Sequence, residues 1–234
     1  VKFPPRETRV TMTVFHAPDD VETVRVLDFF GALDVPNVRW NWQARPKETL
    51  FRRAIGRDEA ALATRADWVW FTDCDLMFRE GCLDALGTQL QGRRDALVYP
   101  RVEWTTDLLS DDDPRLRCDA PALLDVDPRD FRPHEPGRAT GPLQITHGDV
   151  ARALGYCHPI RYYQRPADRW RKAHEDRAHR WLLQTAGAAV EVPGVYRIRH
   201  VSKGRYSGDT WVTRLRQALR RRQAARRDAG AGRS

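Results

Sequence analysis

Hydrophobic positions change period along this chain, and the changes divide it into alternating strands and helices. Residues 10–15 (VTMTVF) alternate as a half-buried strand does. Asp19 and Asp20 then offer an N-cap ahead of Val21, Val24, Val26, Leu27 and Phe30, whose spacing predicts an amphipathic helix ending at Gly31. A second short strand is predicted over 38–43. After Pro46, Leu50, Ala54, Ala61, Leu62 and Arg65 recur at helical intervals and predict one helix over 48–66. The apolar run at 68–72 (WVWFT) has strand length and reads as a buried parallel strand.

The pattern continues with a helix over 80–90 and a strand over 96–102 (ALVYPRV), which Pro100 moves to an edge or interrupts. Residues 107–138 are rich in Asp, Pro and Arg and follow neither period, as functional loops do. Helices are predicted over 146–154 and 175–186, the second with Ala178, Trp181, Leu182 and Thr185 on one face and Gly187 as its stop. Short strands at 190–192 and 195–200 follow. This alternation predicts an α/β fold: a mixed, mostly parallel sheet flanked by helices, with ligands beyond the carboxyl ends of its strands.

Composition narrows the picture. The 234 residues suit one domain with an appendage, and eight Trp, eight Phe and six Tyr supply a core that a disordered chain lacks. No apolar run approaches the ~18 residues of a membrane span, and the start lacks the order of a signal peptide, so a cytoplasmic protein is expected. Cys74, Cys82, Cys118 and Cys157 form no CxxC pair and read as reduced thiols. The net charge of +8 invites a nucleic-acid reading, but residues 212–234 alone carry eight Arg against one Asp. The basicity therefore belongs to the tail. There Trp211, Val212, Leu215 and Leu219 share a helical face, which suits either a solvated helix or a peripheral contact with an anionic membrane.

Three features carry chemistry. Asp73-Cys74-Asp75 ends the apolar run with two carboxylates at i and i+2, which point to one side while the chain stays extended and can share a hard divalent cation. Strand-end capping is the plainer alternative. His174-Glu175-Asp176-Arg177-Ala178-His179 superficially suggests a zinc-protease helix, but its histidines are five apart, about 140° around a helix, rather than i and i+4. What remains is Glu175 and Asp176 at a helix N-terminus, which suits either simple capping or a general base aimed into a cleft. The third is Arg197-Ile198-Arg199-His200-Val201-Ser202-Lys203-Gly204-Arg205, a strand end running into a basic, Gly-containing loop suited to a diphosphate. Its His200 reads as a metal ligand or as an ordinary polar strand-end residue.

In this order the three features resemble a glycosyltransferase of the GT-A fold, in the inverting, family 2-like group. Gly56-Arg57-Asp58 falls where that family carries Ala-Arg-Asn, with Arg57 sixteen residues before Asp73, and Asp58 standing in for the usual Asn. Asp73-Cys74-Asp75 resembles its D-x-D, Glu175-Asp176 its E-D pair, His200 its late His, and Gly141-Pro142-Leu143-Gln144-Ile145 the small-residue segment beneath donor sugar and acceptor. The resemblance covers residues 10–208; the catalytic domain is expected over 1–208, with 209–234 as an Arg-rich tail. The family's first strand and its base-holding turn have no counterpart here, and His16-Ala17-Pro18-Asp19-Asp20 replaces the acidic turn of its second strand. That departure suits a truncated or misassigned beginning or a divergent family member.

The resemblance implies a transfer from a nucleoside-diphosphate sugar, a UDP-sugar as first expectation, to a hydroxyl of a glycan, lipid-linked or small-molecule acceptor, assisted by Mn2+ or Mg2+. Asp75 and His200 would ligate the metal, with Asp73 on ribose or metal-bound water. Arg57, Asp58, Lys203 and Arg205 would contact the donor. Asp176 would be the base and Glu175 would position the acceptor. Gly141, Gln144 and Trp104, which precedes the irregular segment, are the candidate acceptor contacts; a core position is the alternative for Trp104. A nucleotidyltransferase is the nearest competing enzyme, although no Gly-rich phosphate loop is visible. An inactive scaffold of the same fold and a non-catalytic protein that binds nucleic acid or an anionic surface through its tail are the others. Deleting residues 209–234 is expected to leave nucleotide-sugar binding intact and to abolish any salt-sensitive nucleic-acid binding, read by titrating both ligands at low and high salt.

Overall fold

Strand β1 (Val10–His16) runs parallel to β2 (Val38–Ala44), and the connecting helix α1 (Val21–Gly31) starts at the predicted cap. There Asp20 accepts hydrogen bonds from the Thr23 backbone N–H and hydroxyl. The computed structural model describes residues 1–110, 113–116, 120–123, 126–170 and 173–200. Lys203, Arg205, the basic tail, Cys118 and parts of the irregular 107–138 segment lie outside the described residues.

The helix predicted over 48–66 is two helices, α2 (Lys47–Leu50) and α3 (Arg53–Ala63). Arg52 interrupts them at φ −119°, ψ 88°, with its side chain buried and its guanidinium 4.3 Å from the Tyr162 ring centroid. The new start turns Ala54, Gly56, Asp58 and Ala61 inward and leaves Leu62 exposed. Gly56 brings α3 against β1, since a Cβ there would stand 2.9 Å from the Phe15 ring.

Strand β3 (Trp68–Phe71) is followed by β4 (Leu76–Phe78), helix α4 (Cys82–Leu90), β5 (Leu97–Pro100) and β6 (Glu103–Thr106). The irregular segment holds 3-10 turns at Pro114–Leu116 and Pro128–Asp130 and a strand, β7 (Phe131–His134). Then come β8 (Gln144–His147), α5 (Gly148–Leu154), α6 (Glu175–Leu182), β9 (Ala188–Val190) and β10 (Val195–Arg197). The helix predicted from residue 146 thus begins at Gly148, because 144–147 belong to a strand.

Two four-stranded ladders have the orders β3-β8-β5-β9 and β4-β10-β6-β7. The protein is mixed α/β, but the expectation of a mostly parallel sheet is not met. Parallel pairs are β1 with β2, β5 with β9 and β6 with β10; β3 with β8, β5 with β8, β4 with β10 and β6 with β7 are antiparallel. The apolar run of β3 has another cause than parallel pairing. Trp68 and Trp70 pack on the core of α4, β5, Leu143, Ile145 and Val195, while Val69 and Phe71 pack on Ala54, Ala61, Ala151 and Tyr156. Covering both faces of a strand removes the polar half of its alternation whatever the direction of its neighbour.

α6 also departs from its expected face. Ala178 and Leu182 pack inward, but the buried positions are Glu175 and His179, and Trp181 is 73% exposed. Among the described residues no helix is long and apolar enough to cross a membrane. At the junction of β8 and α5 the Gly148 N–H donates to the Asp67 carbonyl at 2.6 Å, and a Cβ at 148 would lie 2.1 Å from the Ala66 carbonyl oxygen. Gly148→Ala is therefore expected to destabilise the fold by about 3 kcal/mol, measured by urea unfolding.

Candidate functional site

Asp73 leaves the carboxyl end of β3 and meets α3. Its Oδ1 accepts from Arg53 Nη1 and from Arg57 Nη2, both at 2.9 Å. These arginines are one turn apart on the helix, so both reach the same carboxylate. Arg57 also donates to the Thr72 carbonyl and to the Tyr156 hydroxyl, at 3.2 and 2.9 Å. The chain of bonds then crosses the core: Tyr156 donates to Gln144 Oε1 at 2.9 Å, and Gln144 Nε2 donates to the Asp176 carbonyl at 3.1 Å. Glu175, buried beside it, accepts from Arg53 Nη2 at 3.4 Å.

Arg57, Asp73, Gln144, Glu175 and Asp176, all singled out in the sequence, are thus brought together from α3, β3, β8 and α6. Gly141 joins them, since a Cβ there would reach within 3.9 Å of the Asp176 Cβ. The Asp176 carboxylate lies 3.4 Å from Arg180 Nη1 and is partly exposed, which leaves it open to a ligand. Asp58 lies in the same helix but serves its other side. Its carboxylate accepts from the Tyr156 N–H and meets His158 Nδ1, both at 2.8 Å, and is buried in fixing that loop.

The two acids of Asp73-Cys74-Asp75 do not lie along an extended chain. The Leu76 N–H turns back to the Asp73 carbonyl, and the Asp75 carbonyl accepts from the Ile198 N–H just past the end of β10. Asp75 is therefore associated with the second ladder, where His200 bridges Leu109. Trp104 also belongs there, part-buried on β6 and stacked on Tyr196 at 6.1 Å and 15°. On the neighbouring position the buried Glu103 pairs with Arg197 at 2.7 Å. Burial raises the Glu103 pKa above its ordinary value, against the lowering effect of Arg197.

Among the described residues no three His, Cys, Asp or Glu side chains gather as a metal set. The Asp73 oxygen nearest α3 already faces two guanidinia. No step below is routed through a divalent cation.

The residues beneath the site are neutral and buried. Burial raises the Tyr156 phenol pKa, which keeps its proton available for Gln144. Burial, reinforced by the charges of Arg57 and Arg180, lowers His179 to about 4. Its imidazole stacks on Tyr156 at 4.4 Å and shares a hydrogen bond with Thr146 at 3.2 Å. Cys82 and Cys157 are buried free thiols, each raised to about 12 by burial.

Arg53, Tyr156 and Glu103 escaped the sequence reading, and His179 was weighed there only as a zinc ligand. Arg53 had a legible signal, the four-residue spacing to Arg57 that puts both on one helical stripe. Tyr156 and His179 had none, because their partners are distant in sequence. No family model, curated protein or solved structure matches the chain.

The lowered pKa of His179 links stability to pH. The unfolded imidazole takes up its proton near pH 6.5, whereas the folded one does so only near 4. The contribution is fully present above about pH 6.5 and is lost as pH falls towards about 4, for a total of about 3 kcal/mol. Urea unfolding across that range should show this slope in the native chain and its reduction in His179→Phe.

Proposed function

We propose that this protein is a glycosyltransferase that moves a sugar from a nucleoside diphosphate to an acceptor hydroxyl with inversion. The observation that carries the reading is the junction in which Arg57, Asp73, Gln144, Glu175 and Asp176 are linked through Tyr156 and Arg53 at the carboxyl end of β3. Separate capping roles for these residues would require no such convergence. The GT-A-like character of the fold belongs to the same proposal.

In this reaction the acceptor oxygen attacks the anomeric carbon while the bond from that carbon to the diphosphate oxygen breaks. The leaving diphosphate takes the bonding electron pair, and the acceptor proton passes to the partly exposed Asp176 carboxylate. The guanidinia of Arg53 and Arg57 supply positive charge to the diphosphate. Glu175 orients the acceptor. Lys203 and Arg205 are proposed as further donor contacts, and Mn2+ or Mg2+ at Asp75 and His200 is a proposal for titration. Peripheral membrane contact through the tail would suit a lipid-linked acceptor.

Calorimetric titration with UDP, GDP, dTDP and CMP, each in Mn2+, Mg2+ or EDTA, tests the reading. Binding of one nucleotide is expected. Its loss in EDTA and in Asp75→Ala would assign a cation to that residue, and absence of any binding to the folded chain would overturn the proposal. With the nucleotide known, Asp176→Asn should bind it normally and lose at least about a hundredfold in transfer rate. Normal turnover by this variant would exclude Asp176 as the base.

A further inference from the structure

The two arginines on Asp73 are not equivalent. The Arg57 side chain is 11% exposed and is held by Asp73, the Thr72 carbonyl and the Tyr156 hydroxyl, with Phe71 and Tyr156 rings against it. It is a fixed part of the junction. Arg53 is 35% exposed, and its two bonds both end on carboxylates: Asp73 at 2.9 Å and Glu175 at 3.4 Å. Burial disfavours its charge, but Asp73 and Glu175 outweigh that effect and hold its pKa above the ordinary value. Arg53 is thus a charged, solvent-accessible fork joining the end of the site assigned to the donor with the end assigned to the acceptor.

The Glu175 side chain is only 4% exposed, and its carboxylate meets Arg53 at the longer of the two distances. An incoming diphosphate competes with both carboxylates for that guanidinium, and a planar fork favours phosphate oxygens in pairs. The weaker contact yields first.

We propose that Arg53 is a positioning residue that couples the two ends of the site: a diphosphate draws its guanidinium away from Glu175, and the released carboxylate becomes able to receive the acceptor hydroxyl. The coupling rests on the glycosyltransferase reading. It makes donor occupancy a condition for acceptor binding and keeps Glu175 paired while the donor is absent. Because linkage is reciprocal, Glu175 in turn restrains the affinity of Arg53 for the diphosphate.

This sign separates coupling from a merely structural role. Glu175→Gln removes the competing charge and should tighten binding of UDP and of inorganic pyrophosphate by about fivefold or more. Arg53→Gln should weaken both by about tenfold. In the double variant the gain from Glu175→Gln should vanish, and Arg53→Lys should weaken binding less than Arg53→Gln. The four proteins and the wild type are compared by calorimetry in Mg2+ buffer, after thermal melts establish that each is folded.

Equal or weaker binding by Glu175→Gln, or a gain that persists without Arg53, would overturn the coupling. If wild type still binds a nucleotide in that case, the glycosyltransferase reading stands without it. Failure of every folded variant to bind UDP or pyrophosphate, together with a negative nucleotide panel, would remove both.

Discussion

The charged contact between Arg57 and Asp73 is the constraint on which the site depends. A guanidinium that is 11% exposed and a carboxylate that is 28% exposed have both given up much of their hydration. Such a pair persists only where the remaining hydrogen-bonding groups are also satisfied, and removing one partner from a buried pair costs roughly 3–5 kcal/mol. Here two further donors of Arg57 are taken by the Thr72 carbonyl and the Tyr156 hydroxyl. Satisfying them fixes the end of β3 against α3 and draws the loop after α5 into the same network.

From that contact, order spreads through buried polar groups. Tyr156, Gln144, Thr146 and His179 are almost wholly inaccessible, and each has a partner within the network. A buried network of this kind is favourable only when complete, since an unpaired member bears its full desolvation cost. Completeness is what sets the angle at which α6 presents Glu175 and Asp176. The neutral His179 at its centre adds no charge to a region already holding two guanidinia and two carboxylates.

The second ladder serves a different physical purpose. Trp104, Tyr196 and Phe131 stack there, and Arg79 lies over the Tyr196 and Phe3 rings. The amino-terminal segment is tied down nearby, where Asp84 accepts from the backbone N–H groups of Arg6, Glu7 and Thr8 and is held near 2 by those bonds. Asp75 and His200 belong to this part of the molecule. Whatever ligand reaches both Asp73 and Asp75 therefore spans the turn between two ladders rather than one strand end.

What the sequence determined by itself was local: the N-cap of α1, the positions of β1, β2 and β3, the helical start at Glu175, and the ordered acids and Arg57 that now share a junction. Periodicity reports which faces are covered, and capping residues act within a few positions of themselves. Neither reports what does the covering. The double-faced run of β3 was legible as buried, but its antiparallel partner β8 lies more than seventy residues further on. Ala178 and Leu182 of the expected α6 face pack on the core, but Glu175 and His179 turn inward beside them and Trp181 outward, because the polar partners Arg53 and Thr146 also lie beneath the helix. Arg53 and Glu175 meet across 122 residues, and Arg57 and Tyr156 across 99. Tertiary packing alone decides such pairs, because an unfolded chain leaves these charges in water, and only the closed fold makes pairing them necessary.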